Sequence, residues 1–265
     1  PNLTDFRPVF IDAGTMAFSP DGRWLAFTED YVRRFAEPDL YVMDTDSGQV
    51  TALTPDTLRT TRANTDSPAI DQLPLFSPDG QMVYFVRYSV SGRRTGVPLL
   101  ARVPITGGAV EILAELPVPI YSVYAMRWLP GNQQMVMAVI APNPDDPING
   151  IGILNADGTG FKTVYRAVGY TDVIPTADGR ALLAFNGAAQ SLANLRPRGP
   201  IAFVHGLDGT LESPFTVAEV WEGLWPTFGP DGQHVAYILR PWANSPRSGL
   251  YVASGLGERG DLILQ

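Results

Sequence analysis

The chain contains no cysteine, and this absence excludes disulfide bonds, thiol catalysis and cysteine-ligated metal sites. Histidine is also scarce, because only His205 and His234 are present, in separate segments and without the spacing of a two-histidine metal site. No apolar run is long enough to cross a membrane as a helix. We therefore predict no metal, no cofactor and no membrane span.

Basic charge is the next thing the sequence has little of. Lys162 is the only lysine, and the formal net charge at pH 7 is −8 with an isoelectric point near 4.7. Nucleic-acid binding depends on Lys and Arg meeting phosphate, so the charge argues against a nucleic-acid partner. A Gly-x-Ser-x-Gly motif is absent as well, so the sequence shows no hydrolase nucleophile elbow. We predict that the chain is not an enzyme.

The chain is rich in one kind of segment, in which two short apolar runs are joined by a turn sequence. Residues 17–27 read Ala-Phe-Ser-Pro-Asp-Gly-Arg-Trp-Leu-Ala-Phe. Proline fixes φ for a turn, Ser and Asp bond local backbone N–H groups, and Gly accepts positive φ. The run from Trp24 to Phe27 is typical of a strand buried on both faces. The Ser-Pro-Asp-Gly segment is therefore interpreted as a hairpin turn, and its aspartate as a turn residue.

Versions of this unit recur along the chain. The turn glycines, with Asn132 replacing one, fall at positions 22, 80, 132, 179 and 232, which are 58, 52, 47 and 53 residues apart. Each interval contains four short strand-like runs. A period near fifty residues with four strands is typical of β-propeller blades.

The repeat resembles the WD40-like repeats of TolB-type β-propellers. Phe18–Gly22, Phe76–Gly80 and Phe228–Gly232 match the turn, and Leu40–Val42 and Leu250–Val252 match the third strand. The resemblance implies an all-β fold, a single propeller domain over residues 1–265 with four-stranded antiparallel blades. We predict five blades, at about 14–54, 70–114, 122–166, 170–216 and 224–264, or six if one blade lies outside this chain. Residues 1–13 are a lead-in or closure strand.

The loops between the second and third strands of each unit do not repeat, and we predict that they form one face. They span 29–38, 88–98, 141–150, 186–200 and 240–248. Arginine and exposed aromatic residues are typical of protein interfaces and of sites for anionic ligands. The candidate binding residues on this loop face are Arg33, Arg34, Phe35, Tyr88, Arg93, Arg94, Arg196, Arg198, Arg240, Trp242 and Arg247.

Arg127 is a separate candidate. It lies in the first strand of its unit, where other units have Ala17, Leu75, Ile174 and Thr227. We expect it either to project into the central channel or to pair with a carboxylate of a neighbouring blade.

Three functions remain open on the sequence. The first is a non-catalytic module or scaffold that presents its loops to a protein partner. The second is a sensor or binding domain for a small anionic ligand or glycan, at the loop face or in the channel. A glycan-active lyase or glycosidase is the third. The resemblance to TolB-type propellers, which are commonly exported in bacteria, implies an extracytoplasmic location, in the periplasm or at the cell surface.

Overall fold

The chain is built from antiparallel sheets of four strands. The computed structural model describes residues 11–29, 39–55, 69–91, 94–119, 122–131, 133–166, 169–179, 181–186, 202–207, 212–214, 223–228, 234–239, 249–254 and 260–264. Within these residues, twenty strands form five sheets, and every sheet uses four consecutive strands. The prediction of an all-β propeller fold with antiparallel sheets is confirmed.

The chain divides into two compact units, the first comprising Pro1–Tyr121 with Asp157–Thr159 and the second Ser122–Ala156 with Gly160–Gln265. Two sheets lie in the first unit. Their strands are β1 Ile11–Phe18, β2 Trp24–Glu29, β3 Leu40–Asp44 and β4 Val50–Ala52, then β5 Ala69–Phe76, β6 Met82–Ser91, β7 Arg94–Pro104 and β8 Glu111–Glu115.

Three sheets belong to the second unit. The third sheet has β9 Val123–Trp128, β10 Gln134–Val139, β11 Gly150–Asn155 and β12 Lys162–Arg166. The fourth has β13 Tyr170–Pro175, β14 Ala181–Asn186, β15 Ala202–Gly206 and β16 Glu212–Pro214. The fifth has β17 Gly223–Phe228, β18 Val235–Leu239, β19 Gly249–Ala253 and β20 Asp261–Leu264.

The Ser-Pro-Asp-Gly turn has the geometry that its residues predict. The hydroxyl of Ser19 donates to Asp21 Oδ1 over 2.5 Å and accepts from the Trp24 backbone N–H over 2.9 Å. Asp21 Oδ1 also accepts from the Arg23 N–H, and Gly22 has φ +72°. Two side chains thus satisfy the turn's backbone donors, while glycine takes the left-handed conformation that other residues avoid.

The turn of the second sequence repeat, between β5 and β6, has the same hydrogen bonds. Ser77 donates to Asp79 over 2.5 Å and accepts from the Met82 N–H over 2.9 Å. The turn of the fourth sequence repeat departs from Ser-Pro-Asp-Gly and keeps one of these hydrogen bonds, in which Thr176 donates to Asp178 over 2.7 Å. These aspartates act as turn acceptors, as the sequence indicates.

Apolar side chains from neighbouring sheets form the core of each unit. In the first unit, Phe76, Val83 and Phe85 of the second sheet pack with Leu40 and Val42 of the first. In the second unit, the third and fourth sheets share a cluster that includes Val136, Ile151, Val173 and Leu182. Burial of one such side chain contributes about 1.5–3 kcal/mol to folding. Leu25–Phe27 of β2 are buried on both faces, as predicted, and Met135–Val139 of β10 have no exposed surface.

Two predicted boundaries are wrong. Residues 11–13 belong to β1 and not to a lead-in, while residues 1–10 lie outside the described part of the chain. Residues 88–98 are not an irregular loop, because β6 continues to Ser91 and β7 begins at Arg94. Ser91 pairs with Arg94, so the connection is only two residues long. The β-branched residues in this segment extend the ladder, which outweighs the loop signal of Gly and Arg.

An irregularity recurs in the first strand of every sheet. The register between the first and second strands shifts in all five described pairs. In β5 the shift lies between Gln72 and Leu75, and Leu73 has φ +57° there. A β-bulge of this kind bends the strand and redirects the side chains beside it.

Candidate functional site

Most of the predicted loop-face residues fall outside the described part of the chain. Those residues are Arg33, Arg34, Phe35, Arg93, Arg196, Arg198, Arg240, Trp242 and Arg247. The backbone of Arg94 is the first position of β7. The loop-face interaction surface therefore remains a prediction for these positions.

Tyr88 is not a surface residue. It lies within β6, opposite Ile70 of β5 and Pro98 of β7, and its side chain is fully buried. The sequence placed it at the start of a loop because Ser89, Ser91 and Gly92 follow it. The ladder instead continues past Tyr88 on both neighbouring strands, and the residue is buried. Its prediction as an exposed binding residue is wrong.

The loop after β10 is fully described and is held by one amide side chain. Asn149 is buried, its Oδ1 accepts from the Ala141 N–H over 2.6 Å, and its Nδ2 donates to Asn143 O over 2.7 Å and to Pro144 O over 3.1 Å. Asp146 Oδ1 accepts from the Ile148 N–H. These bonds fix a loop whose Pro142, Asn143, Pro144, Asp145 and Pro147 are exposed.

Arg127 forms an ion pair between the first strands of two neighbouring sheets. Its Nη2 lies 3.2 Å from Asp172 Oδ1, which belongs to β13, while its Nη1 donates to Met126 O over 3.0 Å. The side chain of Arg127 is 41% exposed and that of Asp172 is 21% exposed. Of the two positions expected for Arg127, pairing with a carboxylate of the next sheet is confirmed.

Asp172 was missed from the sequence, although it interrupts the otherwise uncharged strand Tyr-Thr-Asp-Val-Ile-Pro. Its Oδ1 also accepts from the Val173 N–H over 2.8 Å. Burial raises the pKa of Asp172, and the nearby charge of Arg127 and this hydrogen bond offset the increase only in part.

A second ion pair, also missed from the sequence, lies in the second sheet. Arg87 Nε donates to Asp71 Oδ1 over 2.8 Å, and Arg87 Nη2 donates to Asp71 Oδ2 over 2.7 Å. The Asp71 side chain is only 2% exposed, and the guanidinium lies 5.3 Å from the ring centroid of Phe85. Two features of the sequence could have indicated this pair. They are a carboxylate in the apolar first strand and an arginine sixteen residues later.

The acids of the turns are electrostatically different from Asp172. The hydroxyl of Ser19 lowers the pKa of Asp21, and Ser77 does the same for Asp79. Thr159 likewise lowers the pKa of Asp157. These carboxylates are stabilised in the ionised form, which is the opposite of what a general acid needs near neutral pH.

Metal-binding side chains do not converge in the described residues, where no group of three His, Cys, Asp or Glu could hold an ion. His234 is exposed at the start of β18, and His205 lies in β15 of a different sheet. The helices needed for a membrane span are also missing from the described residues.

Comparison with known proteins places the fold. No protein-family model matches the sequence, and no curated protein matches it. Among solved structures, the putative TolB from Agrobacterium tumefaciens matches with a TM-score of 0.61 and 17% identity, over 96% of this chain and 80% of that one. TolB from Acinetobacter baumannii matches with a TM-score of 0.59 and 18% identity over 92% of this chain.

This chain spans about half of the Acinetobacter TolB chain, since the match covers 52% of it. An oligogalacturonate lyase in complex with manganese also matches, with a TM-score of 0.54 and 10% identity, over 91% of this chain and 73% of that one. Likeness at these identities is likeness of fold. The chain has the TolB-like β-propeller fold.

Proposed function

We propose that the chain is a non-catalytic interaction module, a five-bladed TolB-like propeller that presents irregular loops to a protein partner outside the cytoplasm. The observation that carries the proposal is the loop held by buried Asn149, whose exposed residues are fixed before any partner arrives. A preordered loop binds with a smaller loss of conformational entropy. The five four-stranded sheets support the blade count.

The chemistry of the described turn acids supports a role without catalysis. Asp21 and Asp79 serve as acceptors in turns, and hydrogen bonds lower the pKa of each. A glycan-active enzyme is the less favoured alternative. The oligogalacturonate lyase among the structural neighbours suggests it, but an identity of 10% carries over only the fold.

The test replaces Arg93 and Arg94 together by Ala and measures capture of proteins from the native source by the immobilised chain. We expect loss of one specific partner, identified by mass spectrometry, with the melting temperature within about 2 °C of wild type, as surface substitutions usually leave it. Arg23→Ala is the matched control, since Arg23 is exposed in a turn at the other end of its sheet. Unchanged capture, or a collapse of thermal stability, would contradict the proposal.

A second candidate function is favoured by the Arg127–Asp172 pair. An arginine side chain that is 41% exposed on a first strand is suited to bind a small anionic ligand or glycan. The other first strands have uncharged residues at this position, so the repeat itself does not require the arginine.

A further inference from the structure

The Arg127–Asp172 contact uses little of what a guanidinium offers. The closest N–O distance between the two side chains is 3.2 Å, from Arg127 Nη2 to Asp172 Oδ1. Among the contacts formed by described residues, none involves Arg127 Nε. Arg87, in contrast, donates hydrogen bonds to both carboxylate oxygens of Asp71, through Nε and Nη2. Because the forked face of a guanidinium matches the two oxygens of a carboxylate, Arg127 retains the capacity for a stronger pair than it makes.

Asp172 is held at the arginine by its own backbone. Its Oδ1 accepts from the Val173 N–H, and the same oxygen lies 3.2 Å from Arg127 Nη2. The carboxylate is therefore in place without help from the guanidinium. Beside it, the Arg127 side chain is 41% exposed.

Few other titratable side chains lie on the described strands around the pair. The strands β10, β11 and β14, which lie against β13, carry no titratable side chain. The strand β9 contributes Arg127 and Tyr124, and β13 itself contributes Tyr170 and Asp172. Tyr124 is exposed on the bulged part of β9, where it is skipped in the register with β10. Asp172 is thus the acid that faces Arg127 on these strands.

We propose that Arg127 binds a small carboxylate-bearing ligand and that Asp172 is an internal competitor for the same guanidinium. The inference rests on the second candidate function above and names its ligand class and its regulation. The ligand's carboxylate binds Arg127 through Nε and Nη2 and displaces Asp172 from Nη2, and the negative charge of Asp172 weakens this binding. Protonation of Asp172 removes that repulsion, so binding strengthens as the pH falls.

The raised pKa of Asp172 supports this direction, since burial makes this carboxylate easier to protonate than an exposed one. No bond is made or broken in the exchange. A proton from solvent neutralises Asp172, and the ligand's anion replaces it as the partner of Arg127.

The experiment titrates wild type, Asp172→Asn and Arg127→Met with pyruvate at constant ionic strength, following the Arg127 side-chain N–H signals and the Tyr124 ring by NMR. Pyruvate stays fully ionised at pH 5, so only the protein titrates between pH 7 and pH 5. At pH 7 we expect Asp172→Asn to bind about five-fold more tightly than wild type, the factor that one like charge about 4 Å away contributes even in bulk water. The difference shrinks as the pH is lowered, and Arg127→Met does not bind.

Other outcomes separate the two ideas. Binding that is lost in Arg127→Met but equal or weaker in Asp172→Asn keeps the site and overturns the competitor. Binding that does not depend on Arg127 in any variant overturns the site itself. Methanesulfonate is the matched tetrahedral anion, and equal affinity for it overturns the carboxylate class. Arg127→Lys keeps the positive charge and replaces Arg127→Met if that variant fails to fold.

Discussion

Two ion pairs of the same chemistry behave differently in this molecule. Asp71 and Arg87 lie directly opposite each other on β5 and β6, and the ladder register brings them together. Arg127 and Asp172 lie on the first strands of different sheets and meet only through sheet packing. The first pair makes two contacts of 2.7 and 2.8 Å in a buried setting. In the second pair the closest N–O distance is 3.2 Å, and the side chains are 41% and 21% exposed.

The difference teaches which pair can exchange partners. A pair that is fixed by the register, buried and gripped at both oxygens cannot release its partner without leaving a charge in the core. A pair whose closest N–O distance is 3.2 Å and whose side chains are 41% and 21% exposed loses less when it opens, because water can replace the partner. The Asp71–Arg87 pair therefore stabilises the fold, and the Arg127–Asp172 pair is suited to ligand binding.

The largest expected effect is that of Asp71→Ala. It leaves the largely buried Arg87 guanidinium without its carboxylate, and loss of one partner of a buried pair costs about 3–5 kcal/mol in the free energy of unfolding. Urea denaturation measures the change. The double variant Asp71→Leu with Arg87→Met should recover most of the loss, since no charge then remains buried. A loss below about 1 kcal/mol for Asp71→Ala would show that the two pairs do not differ in kind.

Replacement of arginine by lysine tests the geometry at constant charge. Arg87→Lys loses one of the two hydrogen bonds to Asp71 and the planar contact with Phe85, so we expect a cost of about 1.5–3 kcal/mol. The matched variant Arg127→Lys should change the free energy of unfolding by less than about 0.5 kcal/mol. Equal losses in the two lysine variants, measured by the same denaturation, would contradict the assignment of Arg87 to a register-fixed pair.

The smallest effect is a pH dependence at Asp172. Its pKa is raised in the folded chain, so its contribution to stability is complete below the unfolded pKa and is lost as the pH rises through the folded pKa. At pH 7 we expect Asp172→Asn to be as stable as wild type or more stable, by less than about 1 kcal/mol. Thermal unfolding at pH 7 and pH 4 should show that this advantage disappears in acid. If Asp172→Asn is clearly less stable than wild type at pH 7, Asp172 stabilises the fold as Asp71 does.

The sequence predicted the framework well because the framework is local. Ser19, Asp21 and Gly22 act within five residues of one another, and the same local bonds recur at Ser77 and Asp79. The pairing of four consecutive strands follows from those turns. Local chemistry thus accounts for the fold class, the strand order and the role of the turn acids.

The candidate site was less predictable because its contacts are non-local. The pairing of Arg127 was foreseen only as one of two alternatives, and its partner Asp172, forty-five residues later, has no local signal as a partner. Tyr88 was misplaced because the length of a hairpin depends on ladder pairing as well as on turn residues. Asn149 was overlooked because its role comes from three bonds across a loop that single-residue patterns do not reveal.

The order of strands within each sheet has a consequence for how the chain can be rearranged. Every sheet is a meander of sequence neighbours, and among the described strands no ladder joins one sheet to another. Contacts of short sequence separation form quickly, so each sheet can assemble before distant parts of the chain meet. A new chain end placed between two sheets breaks no described ladder. The repeat therefore gives evolution a unit of about fifty residues that can be duplicated, permuted or lost as a whole.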